Sequence, residues 1–263
     1  MSRQQRLNTI LEILVKQGSL EVDEVAQILT VSKATIRRDF DSLAKRQLLS
    51  RTHGGAVATG GSFNLPLTYK IAKEDEAKQR IAAYAAAMVN RYQVVGLNGG
   101  TTTTEVARAL VGRAEFAAGE LGEPPALTVV TNALNIATEL TVRHQIKIVV
   151  TGGVARPQSY ELTGPFAEEV LKEVIIDIAF LGVEAIDAVT GAAARHEDEA
   201  RVNRQIAARA RKVVIVTDSS KFTARAFACI RPPEEIDMII TDDGIDSAMA
   251  TQLEKLGAEI VIA

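Results

Sequence analysis

Residues 31–43 read Val31-Ser32-Lys33-Ala34-Thr35-Ile36-Arg37-Arg38-Asp39-Phe40-Asp41-Ser42-Leu43. Ser32 is placed to cap a helix, its hydroxyl accepting one of the backbone N–H groups that a first turn leaves unpaired. Ile36, Phe40 and Leu43 recur at i, i+4 and i+7 and form one apolar face, which anchors the helix. The other side gathers Lys33, Thr35, Arg37 and Arg38 near the helix N-terminus, where cations, a hydroxyl and free N–H groups together suit a polyanion. The Arg-Arg pair could equally be a solvated helix face paired with Asp39 and Asp41. Taken alone, the segment leaves both readings open.

Its surroundings favour the first. Leu7, Ile10, Leu11 and Leu14 lie at helical spacing, and Gly18 ends that helix. A second short helix runs over residues 22–29, and Thr30 and Val31 turn into the third. Three helices with a basic, exposed end on the last are the helix-turn-helix arrangement, whose final helix enters the major groove. Leu48 to Val57 then gives two short extended pieces around Gly54-Gly55, a wing. Residues 59–64 lack periodicity and Pro66 follows, so 58–73 reads as a linker between a domain at 1–57 and a larger one at 74–263.

Composition agrees with a local rather than a general affinity for anions. The 263-residue chain carries a net charge of −3, yet its first 55 residues hold nine basic against six acidic residues. The hydrophobic fraction of 47% supports a sizeable core. A single cysteine, Cys229, excludes an internal disulfide and fits a reducing compartment. With no apolar leader and no run of membrane-spanning length, a cytoplasmic protein is expected.

From residue 74 an alanine-rich helix leads into short apolar strands alternating with helices, the pattern of a mainly parallel α/β sheet covered on both faces. Strands are expected at 94–97, 127–130, 146–150, 178–182, 213–217, 238–241 and 259–262. Clear helices are expected at 103–110, 197–210 and 246–256, and residues 112–125 read as a flexible surface insertion. Asn98-Gly99-Gly100-Thr101-Thr102-Thr103 joins a strand to a helix. Glycines admit close approach, helix-start N–H groups attract anions and hydroxyls add donors, so phosphate is the natural guest; a plain glycine turn with a threonine cap is the other reading. The loop matches neither a Walker A motif nor Gly-x-Gly-x-x-Gly, and no cofactor is expected. Three more strand ends converge on the same edge of a parallel sheet. They bring Thr131 and Asn132, then Asp187, then Asp218-Ser219-Ser220-Lys221. Lys221 offers a point charge to phosphate, and Asn132, Asp187 and Glu199 offer contacts to sugar hydroxyls.

The combination Val31-Ser32, Thr35 to Asp39, Leu48-Leu49, Arg51 and His53-Gly54-Gly55-Ala56 closely resembles the N-terminal winged helix of DeoR-family bacterial transcriptional regulators. Val129 to Asn132, Thr151-Gly152-Gly153, Arg156-Pro157, Gly164-Pro165, Ala179 to Gly182, Ile186-Asp187, Glu199-Ala200 and Asp218 to Phe222 resemble the family's effector domain. The resemblance implies that Ser32, Lys33, Thr35, Arg37 and Arg38 face DNA, with Arg51 and His53 touching it from the wing. It also implies a second domain similar in fold to ribose-5-phosphate isomerase and glucosamine-6-phosphate deaminase, sensing a phosphorylated sugar, in a homo-oligomeric repressor. Where most relatives carry Asp this chain has Asn98, Glu184-Ala185 replaces a glycine-rich pair, and Ala192 to Ala194 replace a more polar stretch.

A sugar-phosphate isomerase with a DNA-binding appendage is the competing class. Such an enzyme needs a placed carboxylate base and a cation at the carbonyl oxygen. Glu184-Ala185-Ile186-Asp187 matches the isomerases' carboxylate motif only in part, and residues 188–196 contain no lysine. His53, His144 and His196 show no metal-ligand spacing, and no nucleophile elbow appears. A regulator without catalytic residues is expected.

Overall fold

A computed structural model describes residues 3–45, 48–57, 76–117 and 124–263. The expected linker at 58–73 and the centre of the expected insertion, residues 118–123, lie outside the described residues. The chain divides into two compact units, Met1–Lys73 and Glu74–Ala263.

The first unit holds α1 (Arg3–Gln17), β1 (Ser19–Glu21), α2 (Val22–Ile28), α3 (Lys33–Lys45), β2 (Ser50–Arg51) and β3 (Gly55–Val57). Leu7, Leu11, Val25, Ile36, Phe40 and Leu43 are fully or almost fully buried in one core, so the apolar stripes read from the sequence face one another. The α2–α3 turn is a Schellman motif: Val31 N–H donates to the Ala26 carbonyl at 3.1 Å and Thr30 N–H to that of Gln27 at 3.2 Å. It places Thr30 at φ 53, where a β-branched residue costs about 1–2 kcal/mol. The wing holds one strand more than the sequence reading foresaw. β1 pairs with β3, and β3 with β2, all antiparallel. Gly55 is required there, since a Cβ would lie 1.8 Å from the Leu20 carbonyl oxygen.

The second unit opens with α4 (Glu76–Ala87). Its strands β4 (Val94–Leu97), β5 (Leu127–Thr131), β6 (Ile146–Val150), β9 (Ile176–Leu181), β12 (Ala210–Val216), β14 (Met238–Thr241) and β15 (Glu259–Ile262) make one seven-stranded sheet, ordered β15-β14-β12-β9-β4-β5-β6. Every pairing is parallel. Alternate side chains go to opposite faces: Val95, Leu97, Val129, Phe180 and Val214 to one core, Val130, Ala179, Leu181, Val213 and Ile215 to the other. Helix α5 (Thr101–Gly112) and α7 (Leu134–Leu140) cover the first face with α4. The second is covered by α8 (Pro165–Lys172), α9 (Glu197–Ala208) and α10 (Ser247–Lys255). The expected architecture of a winged helix-turn-helix followed by a parallel α/β sheet is what the structure has.

Three further features depart from the sequence reading. Part of the expected flexible insertion is the short helix α6 (Ala114–Ala117), and Phe116 on it is 2% exposed within the core. A small antiparallel sheet also stands apart from the large one, built of β10 (Ala185–Asp187), β11 (Gly191–Ala194) and β13 (Ala228–Arg231). Its middle strand is the buried run Gly191 to Ala194, so the alanines there are packing residues. Strands β7 (Val154–Ala155) and β8 (Leu162–Thr163) form a further two-stranded arm. Among the described residues no helix is long and apolar enough to cross a membrane.

Candidate nucleic-acid interface and effector site

Helix α3 begins as its sequence dictates. Ser32 Oγ accepts from Thr35 N–H at 3.2 Å and lies 2.9 Å from Thr35 Oγ1. The two aspartates that might have neutralised the Arg-Arg pair are engaged elsewhere. Asp39, 2% exposed, accepts from Arg6 Nε at 2.6 Å, and Asp41 pairs with Arg51 Nε at 3.1 Å. Arg37 and Arg38 stand exposed, and neither has a hydrogen-bond or ion-pair partner among the described residues. This is the arrangement a phosphate backbone or base edge would meet with no internal partner to displace. Lys33 does have one, Asp23 at 2.6 Å, but both side chains are well exposed and such a pair contributes at most about 1 kcal/mol.

The wing residues divide. His53 is exposed. Arg51 donates to the Gly55 carbonyl at 3.0 Å, pairs with Asp41 and lies 5.4 Å over the Phe40 ring, so its guanidinium ties the wing to α3. Arg6 and Asp39 do the corresponding work between α1 and α3, a link no periodicity announces. Replacing Asp39 by Ala leaves Arg6 unpartnered at a mostly buried position. It is expected to lower the stability of the N-terminal domain by about 2 kcal/mol, read from denaturant melts.

In the second unit all seven strands point their C-terminal ends to one edge. Strand order reverses between β4, which continues to β5 and β6, and β9, which continues to β12, β14 and β15. Open α/β sheets bind ligands outside the carboxyl ends at such a reversal. The loop Asn98 to Thr103 follows β4 there. Asn98, 1% exposed, bridges the gap: its Nδ2 donates to the Gly182 carbonyl at 2.9 Å and its Oδ1 accepts from Gly182 N–H at 2.8 Å. A carboxylate could make only the second of these bonds, which gives the asparagine a physical reason. Gly100 to Thr103 opens α5, with Thr103 Oγ1 bonded to the Gly100 carbonyl at 3.3 Å and Gly100 and Thr101 part-exposed.

Thr131 and Asn132 end β5 beside this loop. Thr131 Oγ1 accepts from Ala133 N–H at 3.0 Å, and Asn132 is wholly buried. Glu199, at the start of α9, is 7% exposed and accepts from Arg156 Nε at 2.9 Å and Ser159 Oγ at 2.6 Å. Its partner is therefore Arg156, 43 residues away in the chain. Asp187 Oδ1 accepts from Val189 and Thr190 N–H at 2.8 and 2.6 Å and so holds the β10–β11 turn. Lys221 sits in a short helical turn, Ser219–Phe222, which β10 packs against. Asp242 anchors that turn, accepting from Ser219 N–H at 2.6 Å. Burial pushes the Asp218 carboxyl up, but the bonds from Ser220 and the charges of Lys78 and Lys221 outweigh it and hold the group below its ordinary range. Lys78, from α4, pairs with Asp218 at 3.5 Å, a second cation at this turn that sequence spacing did not indicate.

Sequence reasoning also passed over Glu161. Tyr160 takes φ 60 just before β8, and the backbone there is tied to residues 132–134 by Leu162 N–H to the Asn132 carbonyl at 2.7 Å and Leu134 N–H to that of Tyr160 at 2.9 Å. Those ties carry the Glu161 side chain under the glycine loop, where Oε1 accepts from Gly99 N–H at 2.7 Å. Any Cβ at position 99 would fall 2.5 Å from Glu161 Cγ. Burial first and the charge of Glu199 second push the Glu161 carboxyl up to about 8, against the bonds from Gly99 and Asn203.

Residues 6–60 match the family model described as the DeoR-like helix-turn-helix domain, and residues 73–243 match the DeoR C terminal sensor domain. Full-length relatives agree. The HTH-type transcriptional regulator GlpR of Haloferax volcanii is 35% identical over 98% of this chain and 96% of its own. The glycerol-3-phosphate regulon repressor of Escherichia coli K12 is 31% identical over 92% of each. The transcriptional repressor AccR of Agrobacterium fabrum is 31% identical over 100% of this chain and 98% of its own. Among solved structures, ribose 5-phosphate isomerase A from Neisseria gonorrhoeae overlaps 58% of this chain and 56% of its own, at 18% identity and a TM-score of 0.39.

Proposed function

Because this chain belongs to the DeoR family of transcriptional regulators, we propose that it is a repressor of carbohydrate-metabolism genes whose operator binding is controlled by a phosphorylated sugar. It is a DNA-binding regulator and not an enzyme. The observation that carries the DNA half is the freedom of Arg37 and Arg38, with Asp39 and Asp41 held by Arg6 and Arg51. Ser32, Lys33 and Thr35 share that helix end, Arg51 sets the wing and His53 stands exposed on it. One such module supplies limited specific affinity, so a homo-oligomer, at least a dimer reading two half-sites, is the working form.

The effector reading rests on where the polar loops gather. Phosphate goes to the Gly100, Thr101, Thr102 and Thr103 helix start with Lys221 as its cation, while Asn132 follows β5, Asp187 ends β10 of the small sheet, Glu199 starts α9 and Asn98 fixes the loop. The ligand shifts the balance between DNA-competent and incompetent states only by its differential affinity for them. Replacing Lys221 by Ala is expected to leave operator affinity unchanged and to raise the sugar-phosphate concentration needed for half-response roughly tenfold or more. An unaltered response in a titrated mobility shift places the phosphate elsewhere.

A further inference from the structure

The glycine loop rests on a buried polar cluster that its own residues do not satisfy. Glu161 Oε1 takes the Gly99 N–H at 2.7 Å and a long bond from Asn203 Nδ2 at 3.5 Å. Asn203 Oδ1 in turn receives Asn132 Nδ2 at 3.3 Å, and the same Nδ2 reaches the Leu162 carbonyl at 3.4 Å. Two atoms are left over. Glu161 Oε2 and Asn132 Oδ1 are both closed from solvent and have no hydrogen-bond partner among the described residues. Their residues are 3% and 0% exposed. Arg156, whose backbone N–H donates to the Glu161 carbonyl at 2.9 Å, has its guanidinium committed to Glu199. Buried polar atoms without partners are costly, and a pair of them beside a ligand loop points to hydrogen-bonding groups that arrive from outside.

We propose that Glu161 and Asn132 form a hydroxyl-recognition subsite of the effector pocket, accepting hydrogen bonds from two neighbouring hydroxyl groups of a phosphorylated sugar or polyol. The inference rests on the effector reading above and adds residues to it. Glu161 now occupies the Gly99 N–H, one of the donors a phosphate at this loop would use. Binding is then an exchange: the loop moves off the carboxyl, the Gly99 N–H passes to the phosphate, Glu161 releases to solvent the proton that burial holds on it up to about pH 8, and its Oε2 and Asn132 Oδ1 take the hydroxyls. Inorganic phosphate gains only the first half of that exchange. A site built this way rejects ligands that lack the hydroxyls, because its acceptors stay unpaired.

The test is calorimetric titration of the full chain at pH 9, where the wild-type Glu161 carboxyl is ionised, with ribose 5-phosphate, fructose 6-phosphate, glycerol 3-phosphate and inorganic phosphate, in the wild type and in Glu161→Gln. The substitution keeps the side chain's shape and an acceptor for Gly99 but sets an NH2 group against the ligand's hydroxyls. The expected result is a loss of roughly tenfold to a hundredfold in affinity for whichever sugar or polyol phosphate binds, with inorganic phosphate unchanged. Equal affinities in both proteins overturn the subsite. An equal loss for inorganic phosphate also overturns it, since Glu161 would then only support the loop. As a check that needs no substitution, a monodeoxy analogue of the bound compound should be weak in the wild type and lose no further affinity in Glu161→Gln. If no sugar or polyol phosphate binds the wild type while Arg38-dependent operator binding persists, the effector reading itself fails and this subsite with it.

Discussion

Replacing Arg37 and Arg38 together by alanine is expected to weaken operator binding roughly a hundredfold or more while leaving the fold and the effector response intact. The size follows from their setting. Asp39 and Asp41 are already held by Arg6 and Arg51, so the two guanidiniums give nothing to the stability of the domain that truncation would remove. Their charge is available to DNA alone. If one of them contacts only phosphate, the slope of log affinity against log salt should shrink by about one for that residue. A loss confined to one base position, with the salt slope unchanged, would mark the other as reading a base edge. The measurement is operator binding at several salt concentrations for each single variant and the double. Unchanged affinity removes both residues from the interface.

Replacing Glu161 by Gln is expected to stabilise the sensor domain strongly at alkaline pH and hardly at all at pH 4 to 5. The sign follows from the direction of the shift. A carboxyl raised to about 8 in the fold binds more protons folded than unfolded. Its contribution is therefore fully present below the ordinary carboxylate range and is lost as pH rises from there through about 8. Above that, the wild type must bury a carboxylate that no cation compensates, and the glutamine variant need not. The gap should grow to about 5 kcal/mol by pH 9, taking about 1.4 kcal/mol for each unit between the ordinary 4.5 and about 8. Denaturant melts of wild type and variant at pH 5, 7 and 9 measure it. A gap independent of pH would mean that Glu161 titrates normally, and that the polar cluster is hydrated or paired in solution.

The two halves of the chain differ in how much their sequences disclosed. In the DNA-binding half the repeat of Ile36, Phe40 and Leu43 marks the buried face of α3, and the arginines lie opposite it, so orientation is readable directly. The three-residue strand Ser19–Glu21 is too short for any period to show, and it exists because β3 offers it a partner. In the sensor half the large sheet was legible because each of its strands is a short apolar run between glycines or helices. The small sheet was hidden for the opposite reason: its central strand is Gly191 to Ala194, a composition as suited to a helix as to a strand. The glycine loop and Lys221 carry recognisable chemistry. Glu161 does not, because its importance comes from burial and from a contact across 62 residues of chain with Gly99. Residue type suggested Asp187 as a sugar contact and the family resemblance implied Arg51 at DNA; the structure adds that Asp187 Oδ1 also holds the β10–β11 turn and Arg51 also ties the wing to α3.

The central claim is that one chain couples operator binding to a phosphorylated sugar. The measurement that tests it most directly is a mobility shift of the full chain on the DNA upstream of its own gene, titrated with sugar and polyol phosphates at one fixed salt concentration. Salt is held fixed because phosphate contacts alone can change affinity by orders of magnitude. The account predicts specific binding that one compound relieves or tightens at a concentration where inorganic phosphate does nothing. Specific binding that no compound alters would contradict it.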